Sequence, residues 1–99
     1  MTIQQLKYLI EAAKCGSISK AAQNLFVTQP SVSNALNNLA KELDITIFEH
    51  ASRGITLTVK GRELLSYAQL VIDQLDTIQQ HFQDEEQNEK LHICISSQH

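Results

Sequence analysis

The feature that most constrains this chain is an apolar stripe in its second half. From residue 64 to residue 82, apolar side chains recur at alternating intervals of four and three, which is typical of a helix that packs along a partner. The members of this stripe are Leu64, Ala68, Val71, Leu75, Ile78 and Phe82. The pattern predicts a helix from the capping residue Thr58 to about Glu86, roughly 40 Å long at about 1.5 Å per residue. A small domain cannot cover that length, so we expect the stripe to pair with a second copy of the chain.

Three shorter helices are predicted ahead of this one within the 99 residues, which are enough for one small domain. Apolar residues at helical spacing place them at residues 3–15, 20–25 and about 29–43. Gly16 is expected to end the first helix. Thr28 is expected to cap the third, with a proline accepted in the first turn after it.

After the third helix the apolar period changes. Two short runs rich in β-branched residues, at residues 45–48 and 55–57, flank a polar turn, and this arrangement predicts a small β-hairpin. The turn presents Arg53 beside Gly54, a combination suited to close approach to a backbone or a groove. The predicted fold class is therefore mainly α.

The end of the chain is expected to leave the long helix. An acidic run at residues 84–89 predicts a hinge, and alternation at residues 91–95 predicts a strand. Because no partner strand is visible in the sequence, we interpret this strand as the first piece of a further domain. The predicted divisions are thus a small domain at 1–58, a linker helix at 59–86, and a hinge with the first strand of the further domain at 87–99.

Composition favours an intracellular protein, and the charge distribution indicates that the two halves of the chain have separate roles. Residues 1–62 carry seven Lys and Arg against four Asp and Glu, a balance of +3, whereas residues 63–99 carry one against seven, a balance of −6. No apolar run is long enough to span a membrane, and the first residues lack the pattern of a secretory signal. The two cysteines are too scattered for a disulfide framework or a zinc site. We expect no membrane partner.

Nothing in the sequence supports catalysis. The four histidines lack the spacing of metal ligands, and the three glycines stand apart rather than forming a phosphate loop. The acidic residues of the tail are explained by solvation. We therefore expect no enzyme activity, no catalytic residue, no metal and no cofactor.

The strongest functional signal is a helix-turn-helix pattern. Small or apolar residues occupy the offsets at which two helices cross closely around a short turn: Ala22, Val27, Val32 and Ala35. In such a motif the N-terminal residues of the second helix contact base edges in the major groove. Here those residues are Thr28, Gln29, Ser31 and Ser33. Ser17 and Ser19, at the start of the predicted helix at residues 20–25, are placed to cap it and to contact phosphate.

The helix that begins after Thr28 has an unusual exposed face. Its winding places Asn34, Asn37, Asn38 and Lys41 opposite the apolar stripe. Asparagine is a poor helix former, so these residues were not selected for the stability of the helix. Amides and hydroxyls on this face suit contacts with bases.

These residues carry a resemblance to a known family. The segments SISKAA at residues 17–22, VTQPSVS at 27–33 and RGITLT at 53–58 resemble LysR-type transcriptional regulators, and the match extends from residue 1 to about residue 95. The resemblance implies a winged helix-turn-helix with a hairpin wing, followed by a long dimerising linker helix. It also implies a C-terminal effector-binding domain, of which only the part from Leu91 onward would be present, so that this chain would be a fragment.

The resemblance implies a function and a set of contacts. Members of the family are cytoplasmic bacterial activators or repressors that respond to a small metabolite. The expected partners are double-stranded operator DNA with an inverted repeat, a second copy of the chain, and a small effector bound only by the missing domain. A higher oligomer of the full-length protein is also allowed. The predicted DNA-contacting residues are Ser17, Ser19, Thr28, Gln29, Pro30, Ser31, Ser33, Asn34, Asn38, Lys41, Arg53 and Gly54.

The sequence departs from the family pattern at several positions. Asn34 stands where the family often has arginine, further basic residues are common near Asn37 and Asn38, and His50 also replaces a common arginine. Fewer cations predict fewer phosphate contacts and a flatter salt dependence. The alternative function is a winged-helix adaptor that binds proteins and not DNA, which would expose apolar anchors on the same face.

Overall fold

The computed structural model describes the backbone of residues 1–97 and the side chains of residues 1–84. Within these residues the chain forms four helices and one antiparallel hairpin. The elements in chain order are α1 (Ile3–Cys15), α2 (Ile18–Leu25), α3 (Gln29–Leu43), β1 (Phe48–Ala51), β2 (Gly54–Leu57) and α4 (Val59–Ser97). The predicted class, mainly helical with one small hairpin, is confirmed.

Each of the first three helices is bounded by capping residues at both ends. Their N-caps, whose side chains accept a backbone N–H three residues later, are Thr2, Ser17 and Thr28. Their last carbonyl groups are closed by residues in the left-handed conformation, which are Gly16, Phe26 and Asp44. Because Ser17 is the cap of α2, this helix begins two residues earlier than the sequence pattern predicted.

The core lies where α1, α2 and α3 meet. Leu9, Val32 and Leu39 are 0% exposed, one from α1 and two from α3. The alanines of α2 allow close approach, since Ala21 is 0% and Ala22 is 3% exposed. The buried face of α3 therefore fixes the orientation of its opposite face toward solvent.

The hairpin packs against the end of α1. Phe48 pairs with Leu57 and Ala51 with Gly54, which leaves a two-residue turn that is shorter than the predicted one. The Ile55 N–H donates to the Gly16 carbonyl oxygen at 3.0 Å. This bond attaches β2 to the end of α1.

The first half of α4 packs on the small domain. The Gly61 N–H donates to Thr58 Oγ1 at 2.9 Å, as expected for the predicted cap. The residues of α4 that pack into or against the core, here called the core stripe, are Leu64, Leu65, Ala68 and Ile72. Ala68 is 1% exposed, so the structure places Leu64 and Ala68 in the core of their own chain and not on an exposed pairing stripe. No helix in the described part of the chain is long and apolar enough to cross a membrane.

The structure contradicts the predicted hinge and the predicted strand at residues 91–95. α4 continues through this segment to Ser97. A strand needs a neighbour to receive its backbone hydrogen bonds, and the two strands of the described backbone pair with each other. In a helix, the backbone N–H and C=O groups form hydrogen bonds within the segment itself and need no neighbouring strand. Residues 98 and 99 lie outside the described residues, and the assignment of residues 87–99 to a further domain stays a prediction.

Candidate nucleic-acid interface

The first turn of α3 is ordered by its own hydroxyl groups. Thr28 Oγ1 accepts the Ser31 N–H at 3.3 Å and forms a 2.7 Å hydrogen bond with Ser31 Oγ. Both side chains are exposed, and Pro30 occupies the same first turn. Two of the predicted base contacts therefore have a fixed orientation at the exposed start of the helix.

The outer face of α3 continues as a row of polar side chains. Gln29, Asn34 and Asn38 are exposed. Among the described residues none of these three amides has a hydrogen-bond partner, so their donors and acceptors are available to a ligand. Ser33 is half-buried at the edge of this face. The structure thus brings together the residues predicted to contact bases.

The predicted phosphate contacts lie at the two ends of the helix-turn-helix. Ser17 Oγ accepts the Lys20 N–H at 3.2 Å, so its hydroxyl caps α2, while Ser19 is exposed in the first turn. Lys41 is exposed in the last turn of α3. The ion pairs in the described part of the chain do not involve Lys41. These residues can therefore meet an anion without breaking an existing ion pair.

Arg53 lies at the tip of the hairpin, in the turn between β1 and β2. The next residue, Gly54, has φ 130°, and a Cβ there would clash with the Gly16 carbonyl oxygen. This close contact fixes the position of the hairpin relative to the helix-turn-helix. Arg53 is exposed and takes part in neither ion pair of the described residues.

A cleft of about 420 Å³ separates α3 from the hairpin. Its polar lining residues are Ser33, Asn37, Thr46 and His50, and its other lining residues are apolar. Of these four, only Ser33 was among the predicted contacts. The sequence did contain a signal for Asn37, which lies on the same helix face as Asn34. No local pattern could reveal the cleft itself, because it depends on how the hairpin packs beside α3.

α4 also exposes a second apolar face, here called the outer stripe, whose members are 42–62% exposed: Tyr67, Leu70, Val71, Ile78 and Phe82. Leu75 is half-buried and lines a shallow apolar groove together with Leu70, Val71 and Ile78. Of the predicted dimer residues, Val71, Leu75, Ile78 and Phe82 thus lie on or beside this face. Tyr67 and Leu70 were not among the predicted dimer residues, because the spacing of four and three does not pass through them.

Comparison with known proteins identifies the family. Residues 3–62, more than half of the chain, match the family described as "Bacterial regulatory helix-turn-helix protein, lysR family". The chain belongs to the LysR family. This match spans α1, the helix-turn-helix, the hairpin and the first turn of α4, so the predicted family is confirmed. It is a family of regulators and not one of enzymes.

Curated relatives of this LysR-family chain are transcriptional regulators. It is 41% identical over 75 residues to a "Probable RuBisCO transcriptional regulator" of Guillardia theta, a match that covers 76% of this chain and 24% of the relative. It is 40% identical over 76 residues to the "HTH-type transcriptional regulator GltR" of Bacillus subtilis (strain 168), which covers 77% of this chain and 26% of the relative. The chain therefore spans about a quarter of the length of these relatives.

Solved structures of similar chains contain DNA. The CbnR DNA-binding domain in its complex with DNA superposes with a TM-score of 0.77 at 31% identity, covering 82% of this chain and 93% of that one. The BenM DNA-binding domain with catB site 1 DNA gives a TM-score of 0.80 at 29% identity, covering 84% and 92%. These superpositions confirm the winged helix-turn-helix fold.

Proposed function

We propose that this LysR-family chain reads operator DNA, binding an inverted repeat as a homodimer to regulate transcription. The outer face of α3 carries the proposal. It presents amide groups without partners among the described residues, while the buried side of the same helix is anchored by Val32 and Leu39. A rigid polar helix face of this kind suits base edges in the major groove.

The proposal gives each part of the surface a role. The side chains that contact bases are Thr28, Gln29, Ser31, Ser33 and Asn34, and Pro30 and Asn38 belong to the same DNA-binding surface. The groups on phosphates are Ser17, Ser19 and Lys41, and the wing residues Arg53 and Gly54 approach the flanking minor groove. The DNA complexes of CbnR and BenM, whose folds superpose on this one, support such a role for this chain.

Selection from a random DNA pool at a stated salt concentration tests the proposal. An enriched inverted repeat supports a dimeric reader, because two identical subunits read two related half-sites. No enrichment would overturn it and favour the protein-binding adaptor. The adaptor has less support, since the exposed face of α3 offers amides and hydroxyls where an adaptor would need apolar anchors.

A matched pair of variants separates base reading from backbone contact. Gln29→Ala should cost about 1–3 kcal/mol at one base pair of each half-site and relax the preference there. Arg53→Ala should weaken binding to all DNA sequences alike. It should also reduce the dependence of log affinity on log salt concentration by about one per subunit, unless Arg53 enters a narrow minor groove. In that case the loss is greater at A·T-rich flanks. The assignment fails if Gln29→Ala leaves base preference unchanged while Arg53→Ala alters it within the half-site.

The remaining partners follow from the same proposal. The outer stripe is proposed as the dimer interface, with Leu75 contributing to it and a higher oligomer left to the full-length protein. Because the matches cover only about a quarter of these curated relatives, we place the small-molecule effector in a further domain. A reader of a bacterial operator works in the cytoplasm, where the chromosome lies.

A further inference from the structure

Phe26 combines two unfavourable features that the fold does not explain. Its side chain is 95% exposed, more than any other large apolar side chain that the structure describes as exposed. Its backbone is left-handed, with φ 58°, and an aromatic residue rarely adopts this conformation. Neither burial nor backbone preference therefore accounts for a phenylalanine at this position.

The other helix ends show what the position requires. α1 and α3 end with the same backbone conformation, at Gly16 with φ 66° and at Asp44 with φ 55°. Glycine has no Cβ to strain, and aspartate tolerates the left-handed region better than bulky residues do. Closing α2 by itself calls for residues of these types. The aromatic ring of Phe26 must therefore do something other than end the helix.

Phe26 lies in the turn that leads into the proposed DNA-reading face. The Phe26 N–H donates to the Gln23 carbonyl oxygen at 3.2 Å, and the Val27 N–H donates to the Ala22 carbonyl oxygen at 3.0 Å. These bonds fix the turn that leads directly into Thr28, the cap of α3. Phe26 thus lies in the connection of the helix-turn-helix, continuous with the surface proposed to enter the major groove.

We propose that Phe26 packs on the C5-methyl group of a thymine in each half-site, an inference that rests on the proposed function. In the major groove the thymine methyl group is the apolar feature that a phenylalanine recognises. Polar contacts from α3 would then be joined by one apolar contact from the turn. This contact removes both the methyl group and the ring from water, which is favourable. It therefore accounts for an aromatic residue that is exposed in the unbound chain.

The test compares the selected operator with versions in which deoxyuridine replaces thymine at one position of both half-sites. Deoxyuridine lacks only the C5-methyl group. The wild-type chain should bind one such version about fourfold more weakly per half-site, as expected for one methyl group returned to water. Phe26→Asn should lose this discrimination, and Phe26→Leu, which keeps apolar bulk, should retain part of it.

Two controls separate this contact from folding. Asparagine tolerates the left-handed backbone, so Phe26→Asn should melt no lower than the wild type. Val59→Asn removes a side chain that is 84% exposed at the first residue of α4, outside the proposed interface, and it should leave the discrimination unchanged.

The possible outcomes are distinct. A wild-type chain that binds its operator but does not distinguish thymine from deoxyuridine at any position overturns the thymine contact and leaves the proposed function standing. A uniform loss of affinity in Phe26→Asn, with the discrimination retained, places the ring on the sugar backbone and also overturns it. Selection of no DNA at all by the wild type removes both proposals.

Discussion

Large apolar side chains are buried in one region of the molecule and exposed in another. In α1 and α3, Leu9, Val32 and Leu39 are 0% exposed. Along α4, Tyr67 and Phe82 are both 62% exposed, although α4 carries apolar residues just as regularly. The difference is geometrical: α1–α3 form three sides of one core, whereas α4 extends away from it in a molecule measuring 67 × 25 × 19 Å.

This contrast shows that a regular spacing of apolar residues indicates a helix face that will be buried. The spacing does not indicate which surface buries that face. The core stripe of α4 finds its partner in α1, so the first half of the helix contributes to the stability of the domain. The outer stripe has none within the described residues, and contiguous exposed apolar surface marks interaction sites. Each prediction below tests whether the two regions are as independent as this contrast implies.

The largest effect is expected for Ile78→Asp, on association. Ile78 is 52% exposed in the single chain, so the monomer should fold normally. In the proposed symmetric dimer the change buries an unpaired charge in each copy, at a cost of about 3 kcal/mol per copy. The total of about 6 kcal/mol per dimer raises the dissociation constant more than about ten-thousandfold. Sedimentation velocity over a range of concentrations measures this. A wild-type chain that stays monomeric at tens of micromolar, or a variant that still dimerises, contradicts the proposed interface.

The next effect is expected for Leu39→Ala, on folding. Leu39 is 0% exposed in the core, and its truncation should lower the free energy of unfolding by about 2–5 kcal/mol. Phe82→Ala is the matched variant in the other region, because it removes a larger but exposed side chain. In the monomeric Ile78→Asp background it should change the free energy of unfolding by less than about 0.5 kcal/mol. Similar losses for the two variants in urea denaturation would contradict the division into two regions.

Gly61→Ala should lower the free energy of unfolding, because it alters the junction between α4 and the rest of the winged domain. Gly61 is buried in the first turn of α4, and a Cβ there would clash with the Ile47 carbonyl oxygen. The same carbonyl accepts the Thr58 N–H at 3.0 Å, so the junction cannot move without disturbing this bond. We expect a loss of about 1–3 kcal/mol from overpacking. Thermal denaturation measures it, and Lys60→Ala, an exposed neighbour, is the control that should change little.

The secondary structure could be predicted from the sequence wherever a local pattern is compatible with one structure only. α1 was predicted correctly because apolar spacing and the closing Gly16 indicated its bounds, and α3 because apolar spacing and the Thr28 cap did so. The prediction failed where one pattern suited two structures. Apolar residues cover so much of α4 that residues 64–82 could not be divided into core and outer stripes. Similarly, the alternation at residues 91–95 suits a strand only when a partner strand is present.

The candidate interface shows the same limit. The polar outer face of α3 could be predicted from its helical period, and the Thr28 cap from its residue type. The cleft beside α3 could not, because it is formed between elements that are distant in sequence. The position of Phe26 between two predicted helices follows from the sequence, but its left-handed backbone and its exposure depend on how α2 and α3 pack.

The smallest effects are expected for Ser66→Ala and Thr77→Ala. Each removes a hydroxyl group that bonds to the backbone of α4, one in the part packed on the core and one in the part beyond it. Ser66 Oγ donates to the Arg62 carbonyl oxygen at 3.2 Å, and Thr77 Oγ1 donates to the Asp73 carbonyl oxygen at 2.8 Å. Both side chains are exposed, and alanine is the better helix former, so each change to alanine should stabilise its own turn by about 0.5 kcal/mol. In the monomeric background, Ser66→Ala should raise the global free energy of unfolding, since its half of the helix is packed on α1.

Thr77→Ala should act only locally in the same background. Among the described residues, the core-packed side chains of α4 end at Ile72, so the segment around Thr77 can open without unfolding the domain. Amide hydrogen exchange should therefore show slower exchange in the turns around Thr77, while the global free energy of unfolding stays unchanged. If Thr77→Ala instead stabilises the whole domain as much as Ser66→Ala does, the two halves of α4 unfold together. The exposed outer stripe would then belong to one cooperative unit with the winged domain, even before a second copy covers it.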